Sequence, residues 1–319
     1  MTKIDKIVLV TMKTWLEGLI ERFNTKSQAK FYIEHMGGSF EEYEDAHKQY
    51  YLSLEKLKKS IPLEYKFQII EKSFLPNFLF GPNNLIVCIG QDGLVINTAK
   101  YLENQLIIAL NPDPKRFDGI IIPFSVEQFP KILQKVADRE FNSIKVTMAV
   151  PKLNNGQQLY GVNDLFIGHK SHGSARYTIT FNNFTERQSS SGIIVSTGAR
   201  STAWFRSVIR GAIGIVYKFR KYSVQIDQAT EDEYRFPWDA NYIYFSVREP
   251  FVSKISSASI IFDTIYSDID LTIESHMSEN GVIFSDGIQS DFLEFNSGTI
   301  ATISVAEKKA NLVTNNSEW

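Results

Sequence analysis

The sequence is poor in the residues that announce disulfide or metal chemistry. Cys88 is the only cysteine among 319 residues, which excludes an internal disulfide framework and any paired-cysteine metal site. Its position inside the apolar run "LIVCIG" predicts a packed core thiol in a protein of a reducing, cytoplasmic compartment. The five histidines (His35, His47, His169, His172 and His276) show no HExxH or other ligand spacing on a helix, and only His169 and His172 lie close together. No metal site held by protein side chains alone is expected. Excess charge is missing as well: 34 basic against 36 acidic residues leave a net charge of −2, so no global field draws nucleic acid or an anionic membrane, and neither partner is expected. No run approaches the roughly 18 apolar residues of a membrane span. The N-terminus passes from "MTKID" straight into the strand-like "KIVLVT", which predicts no signal or transit peptide.

What is present is an ordinary soluble composition, 43% hydrophobic and 22% charged, in a chain long enough for two domains and a sizeable core. From Lys6 to about Val136, strand-length apolar runs ("KIVLVT", "YKFQII", "LIVCIG", "LIIAL") alternate with segments of helical period. The clearest helix covers Ser39 to Ser60. Phe40, Tyr43, His47, Tyr50, Tyr51, Leu54 and Leu57 recur there near 3.6 spacing, behind Ser39 as a candidate N-cap. Pro130 is expected to bend or delay the helix in "VEQFPKILQKVADRE". This alternation predicts a Rossmann-like parallel sheet covered by helices, with ligands at the carboxyl ends of its strands.

Beyond about Asn142 the pattern changes to short alternating segments separated by turns, among them "ARYTITF", "GIIVSTG", "NYIYFSV", "GVIFSDG" and "TIATISV". They predict an antiparallel sheet or sandwich, interrupted by one helix from about Ser201 to Phe219. The expected division is 1–142 for the α/β domain, 143–290 for the β-rich domain and 291–319 for a C-terminal segment. The polar tail "EKKANLVTNNSEW" is expected to fray unless Trp319 docks.

Three places carry chemistry. In "GQDG", Gly90 ends a strand and Gly93 opens a helix, so backbone can approach a ligand and helix amides can meet an anion. Asp92 would repel a phosphate there; it is either an N-cap or a group that takes a proton from a hydroxyl or engages magnesium. In "SSSGIIVSTGARSTAWFRSV", hydroxyls and amides around Ser196, Thr197, Ser201 and Thr202 form a turn able to hold phosphate or ribose oxygens, or simply to cap the next helix. In "YGVNDLFIGHKS", Asn163 and Asp164 interrupt an alternating strand and offer a donor and acceptors suited to sugar hydroxyls, or make a plain turn.

Taken in order, "GQDG", "VNDLFIG" and "SSGIIVSTGARSTAW" resemble the NAD kinase family, whose marks are a GGDG turn, an Asn-Glu pair and an STPTGSTAY-like or STGTGSTGW-like segment. "ALNPDPKRFDG", "FSVREP" and "FLEFNSGTIATI" resemble the NTDPERSEG, FSIREP and FEFNDGAIASM segments of its mitochondrial-type branch. The resemblance implies the NAD kinase/diacylglycerol kinase-like fold: an N-terminal α/β domain, a β-rich C-terminal domain, an active site in the cleft between them, and a last segment returning toward the first domain. It implies transfer of the γ-phosphoryl group of ATP, with Mg2+, to the 2'-hydroxyl of the adenosine ribose of NAD. Asp92 would then be the base, with Gly90, Gln91 and Gly93 around the phosphates and Asn163 and Asp164 on the ribose. Thr202, Ala203 and Ser207 would line the adenine and nicotinamide side, with Ser201 and Trp204 also at the nucleotide and Trp204 standing where the family often has Tyr, in a homodimer or homotetramer. Gln91 departs from the second glycine of GGDG, Leu94 stands where the family has Thr, and Ala199 and Arg200 replace Thr-Gly; Arg200 is a candidate phosphate clamp. The expected activity is NAD kinase. A nucleotide-binding sensor with little turnover, or a kinase acting on another alcohol, are the alternatives.

Overall fold

The computed structural model describes residues 4–119, 121–220, 234–289 and 291–315. Two compact units emerge, one spanning Met1–Ile144 and resuming at Asn311, the other Lys145–Ala310.

The first unit opens on β1 (Lys6–Thr11), followed by α1 (Trp15–Phe23), α2 (Lys26–His35) and α3 (Phe40–Ser60). Then come β2 (Phe67–Glu71), β3 (Asn84–Ile89), α4 (Asp92–Ala99), β4 (Leu106–Asn111), the short β5 (Phe124–Ser125), α5 (Phe129–Asp138) and β6 (Asn142–Val146). The sheet order is β2-β1-β3-β4, then a strand from far along the chain, then β6, with β5 also pairing β4. The pairs from β2 through β4 are parallel. Every residue of β3 and β4 is buried, the pattern of strands covered on both faces. Ile7, Leu9, Leu85, Val87, Ile108 and Leu110 face Tyr50, Leu54 and Leu57 of α3 and Phe129 and Leu133 of α5. The alternate residues, including Val8, Ile86, Cys88 and Ala109, are buried on the other side, where Cys88 is hydrogen-bonded to Thr98 of α4. Burial pushes the Cys88 thiol up to about 12, so it is a packing group and not a nucleophile.

Ser39 stands at the N-cap of α3, although its side chain makes no capping bond. Pro130 sits in the first turn of α5 and opens the helix without bending it, because a proline there lacks only an amide that has no intrahelical partner.

The second unit contains β7 (Ala149–Leu153), β8 (Asp164–His169), β9 (Ala175–Phe181), β10 (Phe184–Ser190), β11 (Ile193–Ser196), α6 (Arg206–Arg220) and β12 (Tyr242–Val247). It continues with β13 (Phe262–Tyr266), β14 (Leu271–Ser275), β15 (Gly281–Ser285), β16 (Phe292–Glu294) and β17 (Ile300–Val305). Two antiparallel sheets, β10-β9-β14-β17-β7 and β13-β12-β11-β8-β15-β16, share one core. Tyr177, Ile179, Ile273 and Ile303 of the first meet Leu165, Ile167, Val195, Phe245 and Ile283 of the second, which is the sandwich the alternating segments predict.

Three expectations need correction. The tail does not simply fray: Ala310–Thr314 is a strand, β18, inserted between β4 and β6 of the parallel sheet, with Val313 packed into that core. Trp319 lies outside the described residues. Asn163 and Asp164 do not interrupt a strand; Asp164 begins β8, whose next four residues are all buried, and the preceding stretch makes only isolated bridges. The helix expected from Ser201 starts instead as a 3-10 turn and a single π turn, Ser201–Phe205, broken at Ala203 (φ −113°, ψ −105°), before α6 proper.

Candidate functional site

In the first unit, the chain leaves β1 at Met12, β3 at Gly90 and β4 at Pro112. These three exits line one cavity of about 280 Å³ at the carboxyl edge of the parallel sheet. Trp15, Tyr43, Tyr50 and Phe117 supply its aromatic walls, and Lys13, Gln91, Asp113 and Arg116 its polar ones. Tyr50 ties the exits together: its hydroxyl accepts from the Met12 amide at 3.0 Å and donates to the Ile89 carbonyl at 3.3 Å. Burial, partly countered by the Met12 amide, raises the pKa of that phenol, so it remains a neutral donor. The start of α1 is fixed by a capping box between Thr14 and Glu17. Thr14 also bonds His47 Nδ1 at 2.8 Å, and the Tyr51 hydroxyl donates to Glu17 at 2.5 Å. Burial opposes ionisation of Glu17, yet the Tyr51 and Thr14 bonds hold its carboxyl below the usual range; burial together with Glu17 pushes Tyr51 up to about 12.

Gln91 takes the N-cap position of α4 with φ −93° and ψ 168°, extended backbone open to any residue, so this turn does not require a second glycine. Asp92 is the first helical residue and not the cap. One of its oxygens, Oδ1, accepts from the Ile121 amide at 3.1 Å, and Oδ2 has no hydrogen-bond partner among the described residues. Gly90 is buried; a Cβ there would come within 2.8 Å of Leu94 Cδ2 and 2.9 Å of Met12 Sδ, so its missing side chain serves packing. Gly93 is exposed and a Cβ there would meet nothing within 4 Å, leaving open space beside the first amides of the helix.

In the second unit, Asn163 and Asp164 are buried at 8% and 7% exposure. Ser196, directly opposite on β11, donates to Asp164 Oδ1 at 2.8 Å. Among the described residues, Asn163 Oδ1 is buried without a hydrogen-bond partner. An orphaned buried acceptor costs about 1–3 kcal/mol, and a ligand hydroxyl is one group that relieves it. The hydroxyls of the neighbouring turn are directed inward: Thr197 Oγ1 donates to the Val162 carbonyl at 2.5 Å and Ser201 Oγ to the Gly198 carbonyl at 3.0 Å. Thr202 and Ser207 are exposed, and Ser207 donates to Ala203 O at 3.0 Å. Trp204 stacks on Phe166 at 6.2 Å and lies under the Arg248 guanidinium at 5.7 Å. The side chain of Arg200 lies outside what the structure describes.

Sequence reasoning missed Asp286. Held at φ 55°, it accepts from three successive amides, Val162 at 3.3 Å, Asn163 at 2.6 Å and Asp164 at 3.3 Å, and its own amide donates to the Asp164 carbonyl at 2.9 Å. The only signal was the Asp-Gly pair that ends "GVIFSDG", which reads as an ordinary turn. Asp286→Ala should cost about 1–3 kcal/mol by stranding those amides. It should also weaken binding of any ligand that uses Asn163, as a Tm shift and a titration would record.

No protein-family model and no curated protein sequence matches the chain. Solved structures do. Yeast NADH kinase, determined in complex with NADH, superposes with a TM-score of 0.57 over 99% of this chain and 85% of its own at 15% identity. An NAD kinase from Archaeoglobus fulgidus, in complex with ATP, gives 0.56 over 97% and 94%, also at 15% identity. The architecture is therefore that of NAD(H) kinases, and at this identity the likeness carries the fold. No helix among the described residues is long and apolar enough to cross a membrane.

Proposed function

We propose that this chain transfers the γ-phosphoryl group of ATP to the 2'-hydroxyl of the adenosine ribose of NAD, giving NADP, as a member of the mitochondrial-type branch of NAD kinases. The observation that carries the reading is the buried, unpartnered Asn163 Oδ1. It sits beside a carboxylate, Asp164, that is already oriented by Ser196, and an oriented acceptor pair of this kind suits a ribose diol. Support comes also from the fold, since the neighbours were solved with NADH and with ATP.

Asp92 serves in this reading as general base. Its Oδ1 is anchored by Ile121, which leaves Oδ2 to take the proton from the attacking hydroxyl. Asn163 and Asp164 hold the ribose, while Gly93 and the first amides of α4 receive phosphate oxygens. Thr202, Ala203, Trp204 and Ser207 flank the bases, beyond the turn that Ser201 closes through its bond to the Gly198 carbonyl. Magnesium would arrive with ATP and neutralise charge on the triphosphate. A homodimer or homotetramer in the cytoplasm completes the proposal.

The test is direct. Purified protein incubated with NAD, ATP and magnesium should form NADP, with NADH and polyphosphate as alternative substrates. Binding of NAD without product from any pairing would transfer support to the sensor reading. The observation favouring that reading is Gln91, which lines the cavity at the position where the family keeps glycine.

A further inference from the structure

On the outer face of the five-stranded sheet of the second unit, a cavity of about 430 Å³ has the makings of an anion site. Arg176 and Arg187 are exposed and alternate with buried neighbours, Tyr177 and Gln188, so both point away from the core. The register sets Arg176 opposite Ser189 and Arg187 opposite Thr178, which makes the two arginines diagonal neighbours on adjoining strands, with backbones roughly 7–8 Å apart. His276 joins them: its amide donates to the Arg176 carbonyl at 2.8 Å, and its Nε2 is hydrogen-bonded to Thr178 Oγ1 at 2.7 Å.

Among the described residues neither arginine forms a salt bridge. Glu186, adjacent to Arg187 in sequence, is turned to the other side, where it accepts from the Ser259 and Ile260 amides at 2.9 and 2.8 Å and from Gln188 at 2.6 Å. Glu274 lies across Thr178 on the same face and forms no ion pair with either arginine. Glu274 is as near to Arg176 along the sheet as Arg187 is, yet makes no salt bridge with it, so the guanidinium donors of both arginines are open to a bidentate oxyanion.

The remaining wall is apolar and fixed in place. The loop after β12 is stitched to the edge of β10, with the Phe251 amide donating to Ser189 O at 2.8 Å and the Ser257 amide to Arg187 O at 2.9 Å. Ser253 and Ser256 brace the loop through their hydroxyls at 2.7 Å. Phe251 and Ile255 nonetheless remain 64% and 81% exposed at the rim. Bulky apolar groups presented beside unpaired cations match a ligand with an anionic head and an apolar body.

We propose that this cavity binds a small phosphomonoester carried on an apolar or aromatic group, the phosphate between Arg176 and Arg187 and the body against Phe251 and Ile255. Calorimetric titration of the full chain at constant ionic strength, with phenyl phosphate and with inorganic phosphate, tests it. Phenyl phosphate should bind saturably and several-fold more tightly than inorganic phosphate. The R176A/R187A double variant should lose at least tenfold in affinity with an unchanged Tm, because both side chains are exposed. Phe251→Ser should reduce the preference for the phenyl ester. Absence of saturable binding, equal affinity in the double variant, or equal affinity for the two phosphates would each overturn the proposal.

Discussion

Asp92→Asn should reduce NADP formation by about 10²- to 10⁴-fold, the usual share of a general base, while leaving NAD binding within a small factor of the parent protein. The contrast follows from how Asp92 is held. An asparagine keeps an oxygen for the Ile121 amide now at 3.1 Å from Oδ1, so the start of α4 and the loop it anchors keep their places. What changes is the second oxygen, which becomes an amide nitrogen that donates and accepts no proton. A kcat that collapses beside an unchanged dissociation constant is the signature sought. Turnover near that of the parent would remove Asp92 from the mechanism, and equal loss of binding and turnover would make it a structural residue.

The second large effect is expected at Gly198. A methyl group there would run into the main-chain carbonyl of Pro237 and lie 3.0 Å from the Phe236 carbonyl oxygen. Those atoms are backbone and have no rotamer by which to withdraw, so Gly198→Ala must displace one chain segment or the other. Overpacking of this kind costs about 1–3 kcal/mol, and contact with backbone puts it at or above the upper end. A denaturant midpoint measured on the variant would show it. The segment leading into Ser201–Phe205 would move with it, so nucleotide affinity should fall as well. Gly93→Ala gives the contrast: its Cβ meets nothing, and alanine suits a helix better than glycine by about 1 kcal/mol. That variant should be as stable as the parent or more so, and should weaken binding only if a phosphate approaches α4. An unaltered midpoint for Gly198→Ala would mean that the Pro237 segment yields freely.

How much of this was legible depended on where the determining contacts lie. The buried strands β1, β3 and β4 are near-continuous apolar runs, and α3 carries its face at helical spacing; both signals are local, and both elements stand where the pattern puts them. The helices α1 and α2 went unread. Their apolar residues are split between a small core of Leu16, Ala29 and Ile33 and an exposed set including Trp15, Phe31 and Met36, which blurs the period. The Thr14 to Glu17 capping box was the better clue. Edge strand β10 was also invisible, since it turns Gln188 and Ser190 inward to the Tyr177 hydroxyl and carries no apolar stripe.

At the candidate site, the strand-turn-helix around Asp92 was readable because three neighbouring residues make it. Asp286 was not, because its meaning comes from amides 122 to 124 residues away. The inward-facing hydroxyls of Ser196, Thr197 and Ser201 teach the same lesson from the other side. A serine-rich turn offers donors on paper, and tertiary packing decides whether they face a ligand or the protein's own carbonyls.

The position of β18 also governs how the molecule comes into being. Translation delivers β1 through β6 first, yet the place between β4 and β6 belongs to residues 310–314. Without that strand the sheet would have a gap at an inner position, with unpaired strand edges on either side. The first unit is therefore complete only when residues from beyond the sandwich sequence have joined it, and a chain truncated before residue 310 should be prone to mispairing at the open strand edges.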